Sequence, residues 1–449
     1  MMPHKRDPLR IALILALLAV ILVPYAGYSQ ESPRQLLLEE AVESALRNNR
    51  NLRASHAEQL AAEANFKQTN AFFLPQVTVS YSALTTDNPL HAFGLKLQQQ
   101  AIGQADFDPA RLNHPAAAQD FSAQAQLQQP LINLDLWAQR RALQARSESV
   151  GLQYERRREA LLFEVQKAFM EVQMARHSAA FLEEALEKGG KMYRIAQNFV
   201  AQGILQKSDE LNALLYVSTL ESEYNQAKNQ AESALERLGL VMGDTLTNVA
   251  LPPLSAQRAD EARLAHEVPA HRPDYQAMDK ALEAASFMVK SAEMSRLPRL
   301  NGFASYQLND SEVAGFRAGS YMAGASLSWD IFSGTKNRHS LTAKRHEQEQ
   351  ARLQVESYKA EGQAALNTAY RDLQSARFRI SKQEVSVKQA AESLRILENR
   401  YAEGLVSTND VLMAQTRWSQ ENLGYTGSLY AYNLTLAYLQ FLTSSDTSK

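Results

Sequence analysis

Laid over itself at an offset of 201 residues, the helical part of this sequence repeats without a gap. The offset pairs Ala168 with Ala369, Gln173 with Gln374, Asn198 with Asn399, Gly203 with Gly404, Asp209 with Asp410, Leu211 with Leu412 and Leu238 with Leu439. Farther upstream, Leu74-Pro75 recurs as Leu297-Pro298, each time between an alanine-rich helical stretch and an alternating one. A tandem duplication means that whatever one half builds is built twice, and the two copies must fit each other. The period lies well outside the roughly 20–50 residues of solenoid repeats. Residues 30–242 read as the first repeat and 273–443 as the second, each in the order helix, strand, loop, strand, long helix, turn, helix. Between them, 243–272 carries Pro252-Pro253 and Pro269 and reads as a linker or equatorial segment, with 444–449 as a tail.

Four segments alternate with the period of a strand, at about 76–84, 121–129, 299–309 and 321–331. Val77, Val79 and Tyr81 stand against Thr78, Ser80 and Ser82, and Tyr321, Ala323, Ala325 and Leu327 against Gly324, Ser326 and Ser328. In the third segment Phe303 falls on the polar side, with Asn301, Ser305 and Gln307. The polar rows are uncharged hydroxyls and amides, which suit a wet lumen better than an ordinary charged surface. A half-buried soluble sheet is the plainer alternative. Long helices are expected over about 135–200 and 336–401, because Val165, Val172, Ala179, Leu186, Tyr193 and Val200 stand at heptad steps, as do Leu366, Leu373, Ile380, Val387, Leu394 and Tyr401. Each would run roughly 100 Å at 1.5 Å per residue. Shorter helices follow at 207–242 and 408–443.

Residues 1–29 read as a secretory signal: Lys5, Arg6 and Arg10 precede an apolar run from Ile11 to Val23, and Gly27-Tyr28-Ser29 offers a cleavage site. That run is too short to span a bilayer, and no later stretch qualifies, so membrane insertion would have to use strands. With no cysteine there is no disulfide framework, no thiolate metal site and no lipid anchor, so a lipoprotein is not expected. The formal charge of −2 gives no nucleic-acid footprint. Nine scattered histidines, with only His339 and His346 seven apart on a helix, and no phosphate-loop, dinucleotide or zinc-protease motif argue against an enzyme and imply no cofactor or metal.

Four strands cannot close a membrane barrel, and an open edge in lipid leaves backbone groups unpaired at several kcal/mol each. Identical copies must complete it, with strands in multiples of four, and conduction asks for at least three copies because a barrel of about eight strands is filled by its own side chains. Both long helices follow the second strand of a hairpin and would leave the barrel on the same side, as a tube continuing the lumen. Tyr306, Tyr321 and Trp329 would then be girdle residues at the membrane interface.

The duplicated half, the Leu-Pro before the first strand, the junctions Pro130-Leu131-Ile132-Asn133 and Asp330-Ile331-Phe332-Ser333-Gly334, and the turns ending in Gly203 and Gly404 resemble the TolC family of outer-membrane efflux proteins. The resemblance covers about Gln35 to Leu442. It implies a mainly α protein with a membrane β-barrel: a homotrimer with a twelve-stranded barrel in outer-membrane lipid, continued by a periplasmic α-helical coiled-coil barrel. Its implied partners are a periplasmic adaptor and an inner-membrane transporter. Gly203, Ile204, Leu205, Gly404, Leu405 and Val406 fall at the adaptor-facing tip, and Asp209, Tyr401 and Asp410 are the candidate gate. Both aspartates also open a helix, where a carboxylate caps and meets the dipole. Val406 and Met413 replace charged gate residues of some members, so a latch here would rest less on ion pairs and open more readily. A duct for secreted polypeptides and a non-conducting periplasmic coiled-coil scaffold are the competing readings. The long stretch 87–120, with His91, Phe93, Phe107 and His114, is an outward lid, a receptor surface or an unordered loop.

Overall fold

A computed structural model describes residues 34–257 and 265–444; the leader 1–29, part of the linker and the tail from 445 lie outside them. The chain opens with β1 (Arg34–Gln35), α1 (Leu38–Asn48), α2 (Arg50–Gln68) and a 3-10 turn, then β2 (Gln76–Thr86). An excursion of α3 (Pro89–Gln98), another 3-10 turn and α4 (Pro109–Asn113) leads into β3 (Ala118–Ile132), the long helix α5 (Leu134–Ala201) and α6 (Lys207–Met242). After β4 (Val249–Ala250), the second repeat runs α7 (Pro273–Met294), β5 (Arg299–Asp310), β6 (Ala318–Ser328), α8 (Lys336–Ala402) and α9 (Thr408–Thr443). Among the described residues, no helix is long and apolar enough to cross a membrane.

The four long strands form one antiparallel sheet in the order β2-β3-β5-β6. Directly opposed residues point to the same face, so the register tests the alternation read from sequence. It sets Val79 opposite Ala125, Tyr81 opposite Ala123, Ala125 opposite Tyr306 and Tyr306 opposite Tyr321. On the other side Ser80 meets Gln124, Gln124 meets Gln307 and Gln307 meets Ser320. One face is apolar across all four strands and the other is polar. Phe303, the exception in the alternation, sits opposite Gly324, where even a Cβ would come within 3.0 Å of its ring. The bare glycine makes room for an aromatic on the polar face. The strands also differ in extent from the sequence reading: β3 is longer than 121–129 and passes a bulge between Pro130 and Ile132, while β6 starts at Ala318 and ends before Trp329 rather than spanning 321–331.

β3 and β6 run parallel, so α5 and α8 leave the same end of the sheet. These helices have 68 and 67 residues, about 100 Å each. Their heptad rows are where the burial is: Val165, Val172, Ala168 and Ala175 on α5, and Leu366, Leu373, Ala369 and Ala376 on α8, are all buried. Small residues in the second row let partner helices approach closely. Near the equator α1 and α6 close over α5 through Ala41, Ala45, Leu238 and Met242, and α9 closes over α8 through Leu436 and Leu439. Each buried leucine contributes about 1.5–3 kcal/mol.

The linker is fastened to this belt. β4 pairs with β1, Arg176 donates to the Val249 carbonyl at 2.6 Å and Gln173 to that of Pro252 at 2.8 Å. Its last residue, Arg272, is almost wholly buried and makes two bonds to Asp274, at 2.6 and 2.8 Å, at the start of α7. Arg156 on α5 lies 3.5 Å from the same carboxylate and 2.6 Å from Glu159, and Tyr358 on α8 donates to Asp274 at 2.8 Å. The two guanidiniums also reach the carbonyls of Phe441 and Leu442, closing the C-terminal turn of α9. Three helices from both repeats meet at one carboxylate, and α9 joins them through the two arginines.

Candidate functional site

Far from the sheet, α5/α6 and α8/α9 end in two turns of the same build. Gly203 and Gly404 both have φ +73°, and the following amides reach back five residues, Ile204 to the Phe199 carbonyl at 2.8 Å and Leu405 to that of Arg400 at 2.9 Å. This is the Schellman closure of a helix. A Cβ on either glycine would meet nothing, so glycine is there for the left-handed backbone and not for space. Ile204 and Leu405 consequently project into solvent at the very tip, whereas Leu205 and Val406 turn inward against a cluster of Met192, Leu394, Tyr401, Val411 and Leu412.

The two aspartates are not equivalent. Asp410 takes the Ser407 amide at 3.0 Å and the Ser407 hydroxyl at 2.7 Å, while its own amide donates back to that hydroxyl at 3.2 Å. These bonds, the hydroxyl's first, hold its carboxyl below the usual aspartate range. Asp209 takes only the Gln206 amide, at 3.2 Å. It is the freer carboxylate of the pair.

Tyr401 does not reach an aspartate in the chain. Its buried hydroxyl shares a 3.1 Å hydrogen bond with Thr408, across the turn of its own hairpin, and its ring packs on Phe199 of the other hairpin with centroids 5.9 Å apart. Burial pushes the phenol up, and the charge of Asp209 adds to that against the lowering bond from Thr408. Tyr401 thus ties the two tips of one chain together. Tyr401→Phe is expected to lower stability by about 0.5–1.5 kcal/mol, with Thr408→Val adding little on top of it; chemical unfolding of the purified single and double variants measures this.

One layer up, the contact between hairpins is polar, which the heptad reading missed. Trp418 on α9 packs on Phe181 at 4.9 Å and under the Lys188 ammonium at 4.6 Å. Beside it, Gln415 is fully buried with both amide atoms lacking a hydrogen-bond partner, and burial pushes the Tyr216 phenol up to about 12. The signal was present in the sequence: Gln415 and Ser419 occupy inward heptad positions of α9.

The model for outer membrane efflux proteins matches residues 41–244 and 264–444. The outer membrane efflux protein BepC of Brucella suis is 24% identical over 395 residues, covering 84% of this chain and 78% of that protein. The outer membrane protein OprJ of Pseudomonas aeruginosa is 24% identical over 393 residues, covering 82% and 75%. Among solved structures, CusC superposes with a TM-score of 0.76 at 18% identity over 91% of this chain and 92% of that one. The open state of the Neisseria gonorrhoeae MtrE outer membrane channel gives 0.74 at 15% identity over 93% and 91%.

Proposed function

The chain belongs to the outer membrane efflux protein family, the TolC family, and from that premise we propose that three copies form the exit duct of a tripartite efflux system. Members of the family are passive conduits and not enzymes, so the residues that matter are those that line, close and dock. In this reading the twelve strands of a trimer form a barrel in the outer membrane, and the long helices form a periplasmic tunnel. An inner-membrane transporter and a periplasmic adaptor deliver the substrate at the tip.

One observation carries the assembly. Within the chain α9 packs on α5, with Thr426 3.1 Å from His177 and Trp418 on Phe181. The 201-residue offset turns α9 into α6 and α5 into α8, so the same contact is available a second time, but a single chain leaves its two surfaces apart. Leu412 on α9 is 8% exposed, while its counterpart Leu211 on α6 is 54% exposed, with Leu215 at 67% beside it. Phe378, the counterpart of His177, is 65% exposed on α8. Burying α6 of one copy against α8 of the next repeats the internal contact, and a head-to-tail contact that closes makes a ring. The sheet agrees, since β2 and β6 are free edges that the same ring would pair. The apolar face, where Val77, Val79, Tyr321 and Leu327 are exposed, turns to lipid, and the polar face lines the lumen.

Asn225 and Phe378 are the counterparts of Thr426 and His177, so Asn225→Cys with Phe378→Cys should cross-link neighbouring copies. The chain has no other cysteine. Oxidation of outer-membrane preparations is expected to give a ladder ending at three chains and collapsing on reduction; a ladder that stops at two, or none, would refute the ring. In such a ring Asp209 and Asp410 each recur three times around the tip, where converging carboxylates attract cations and constrict passage.

A further inference from the structure

The excursion between β2 and β3 does not hang free. Ala92 and Leu95 of α3 pack on Ala118 of β3. At the end of the helix the Gln99 amide donates to the Gln119 carbonyl at 2.7 Å and to the Asp120 carboxylate at 2.9 Å. Asp120 also accepts from Asn309 of β5 at 2.9 Å. Gln99, Asp120 and Asn309 are at most 4% exposed. Within the excursion, Lys96 pairs with Asp106 at 2.8 Å, Phe93 packs edge-on to Phe107, and Asn88 and Asp108 cap the two helices. It is a small folded body with its own staples.

The face on which it docks decides its role. Ala118, Asp120 and Ser122 share a side of β3 with Gln124 and Gln126, and Asn309 lies opposite Ser122. That is the polar face. The docking point is also the start of β3, the end of the sheet away from α5. The body cannot rest on lipid, because the lipid-facing row is on the other side.

We infer that residues 88–117 form an inward-folded cap over the outer mouth of the duct, latched by Gln99 on Asp120. This rests on the assignment of the polar face to the lumen. Three caps in a ring would narrow the exit and limit what enters from outside, independently of the periplasmic tip. The latch is selective for the docked state because Asp120 is a buried carboxylate satisfied by two side-chain amides and loses one of them when the cap lifts.

The test uses intact cells, a bulky membrane-impermeant maleimide and single cysteines in this otherwise cysteine-free chain. Gln124→Cys reports the polar face beneath the cap, and Val79→Cys the apolar face. Labelling of Gln124→Cys should be slow, and faster by on the order of tenfold when Gln99→Ala removes the latch. Gln99→Glu, which sets a second carboxylate against Asp120, should accelerate it at least as much. Equal, fast labelling with and without Gln99 would overturn the cap while leaving the lumen in place. Labelling of Val79→Cys with none at Gln124→Cys in any background would instead overturn the face assignment, and the cap with it.

Discussion

Replacing Asp209 and Asp410 together by alanine will raise single-channel conductance several-fold in a planar bilayer and weaken block by multivalent cations. The variant removes two rings of three carboxylates from the narrowest part of the proposed duct. It also removes the N3 carboxylates of two capping boxes, each favoured by the helix dipole by about 0.3–1 kcal/mol, so alanine alone does not separate charge from folding. Asparagine does: it keeps an oxygen that can accept from the Ser407 and Gln206 amides and loses only the charge. Asp209→Asn with Asp410→Asn should reproduce the rise in conductance while lowering the melting temperature less than the alanine pair does. If the asparagine pair conducts like the parent, these carboxylates are caps and nothing more. The effect should fall mainly on Asp209, which makes one bond where Asp410 accepts two.

Asp274→Ala will be the most destabilising single substitution at the equator, by about 3–5 kcal/mol, the usual result of stripping the partner from a buried charge. Arg272 would lose both of its carboxylate bonds, Arg156 would keep only Glu159 and the Phe441 carbonyl, and Tyr358 would lose its acceptor. Burial works to raise the Asp274 pKa, but the bonds from Arg272 and Tyr358 and the charges of the two arginines outweigh it and leave it below the usual range. A depressed carboxylate contributes stability above its unfolded pKa and loses it as pH falls through the folded one. The difference in thermal midpoint between parent and variant should therefore be full near neutrality and shrink in strong acid. Tyr358→Phe, which removes one hydrogen bond, should cost about 0.5–1.5 kcal/mol by comparison. An Asp274→Ala midpoint within error of the parent would show that the belt is held by its apolar packing alone.

Much of this architecture could be read from the residues because it is periodic. The heptad rows of α5 and α8, the alternation of β2 and β6 and the glycines at 203 and 404 depend on local spacing, and spacing is visible in a sequence. What could not be read depends on long-range pairing. Arg272 closes a segment that looks like a linker, yet its partners sit on α7 and α9. The stretch 87–120 has short helices whose caps at Asn88 and Asp108 are detectable, but nothing local says on which face of the sheet they lie. Tyr401 stood out as the last member of a heptad row; its partner Thr408 is evident only once the turn is closed. Phe303 broke the strand alternation, and its reason, Gly324, is on the next strand.

The strand order carries a consequence for how the protein is made. Hairpins β2-β3 and β5-β6 are neighbours along the chain, but Phe121 must find Asp310 across the whole of α5, α6 and α7. Pairings that distant form slowly because loop closure precedes any gain. The helices, whose backbone hydrogen bonds are local, can form first, and the two hairpins then wait with the Val77, Val79 and Tyr321 side chains bare in water. A newly exported chain is therefore most vulnerable to aggregation in the interval between helix formation and membrane insertion. Its yield should depend on how many chains are waiting at once.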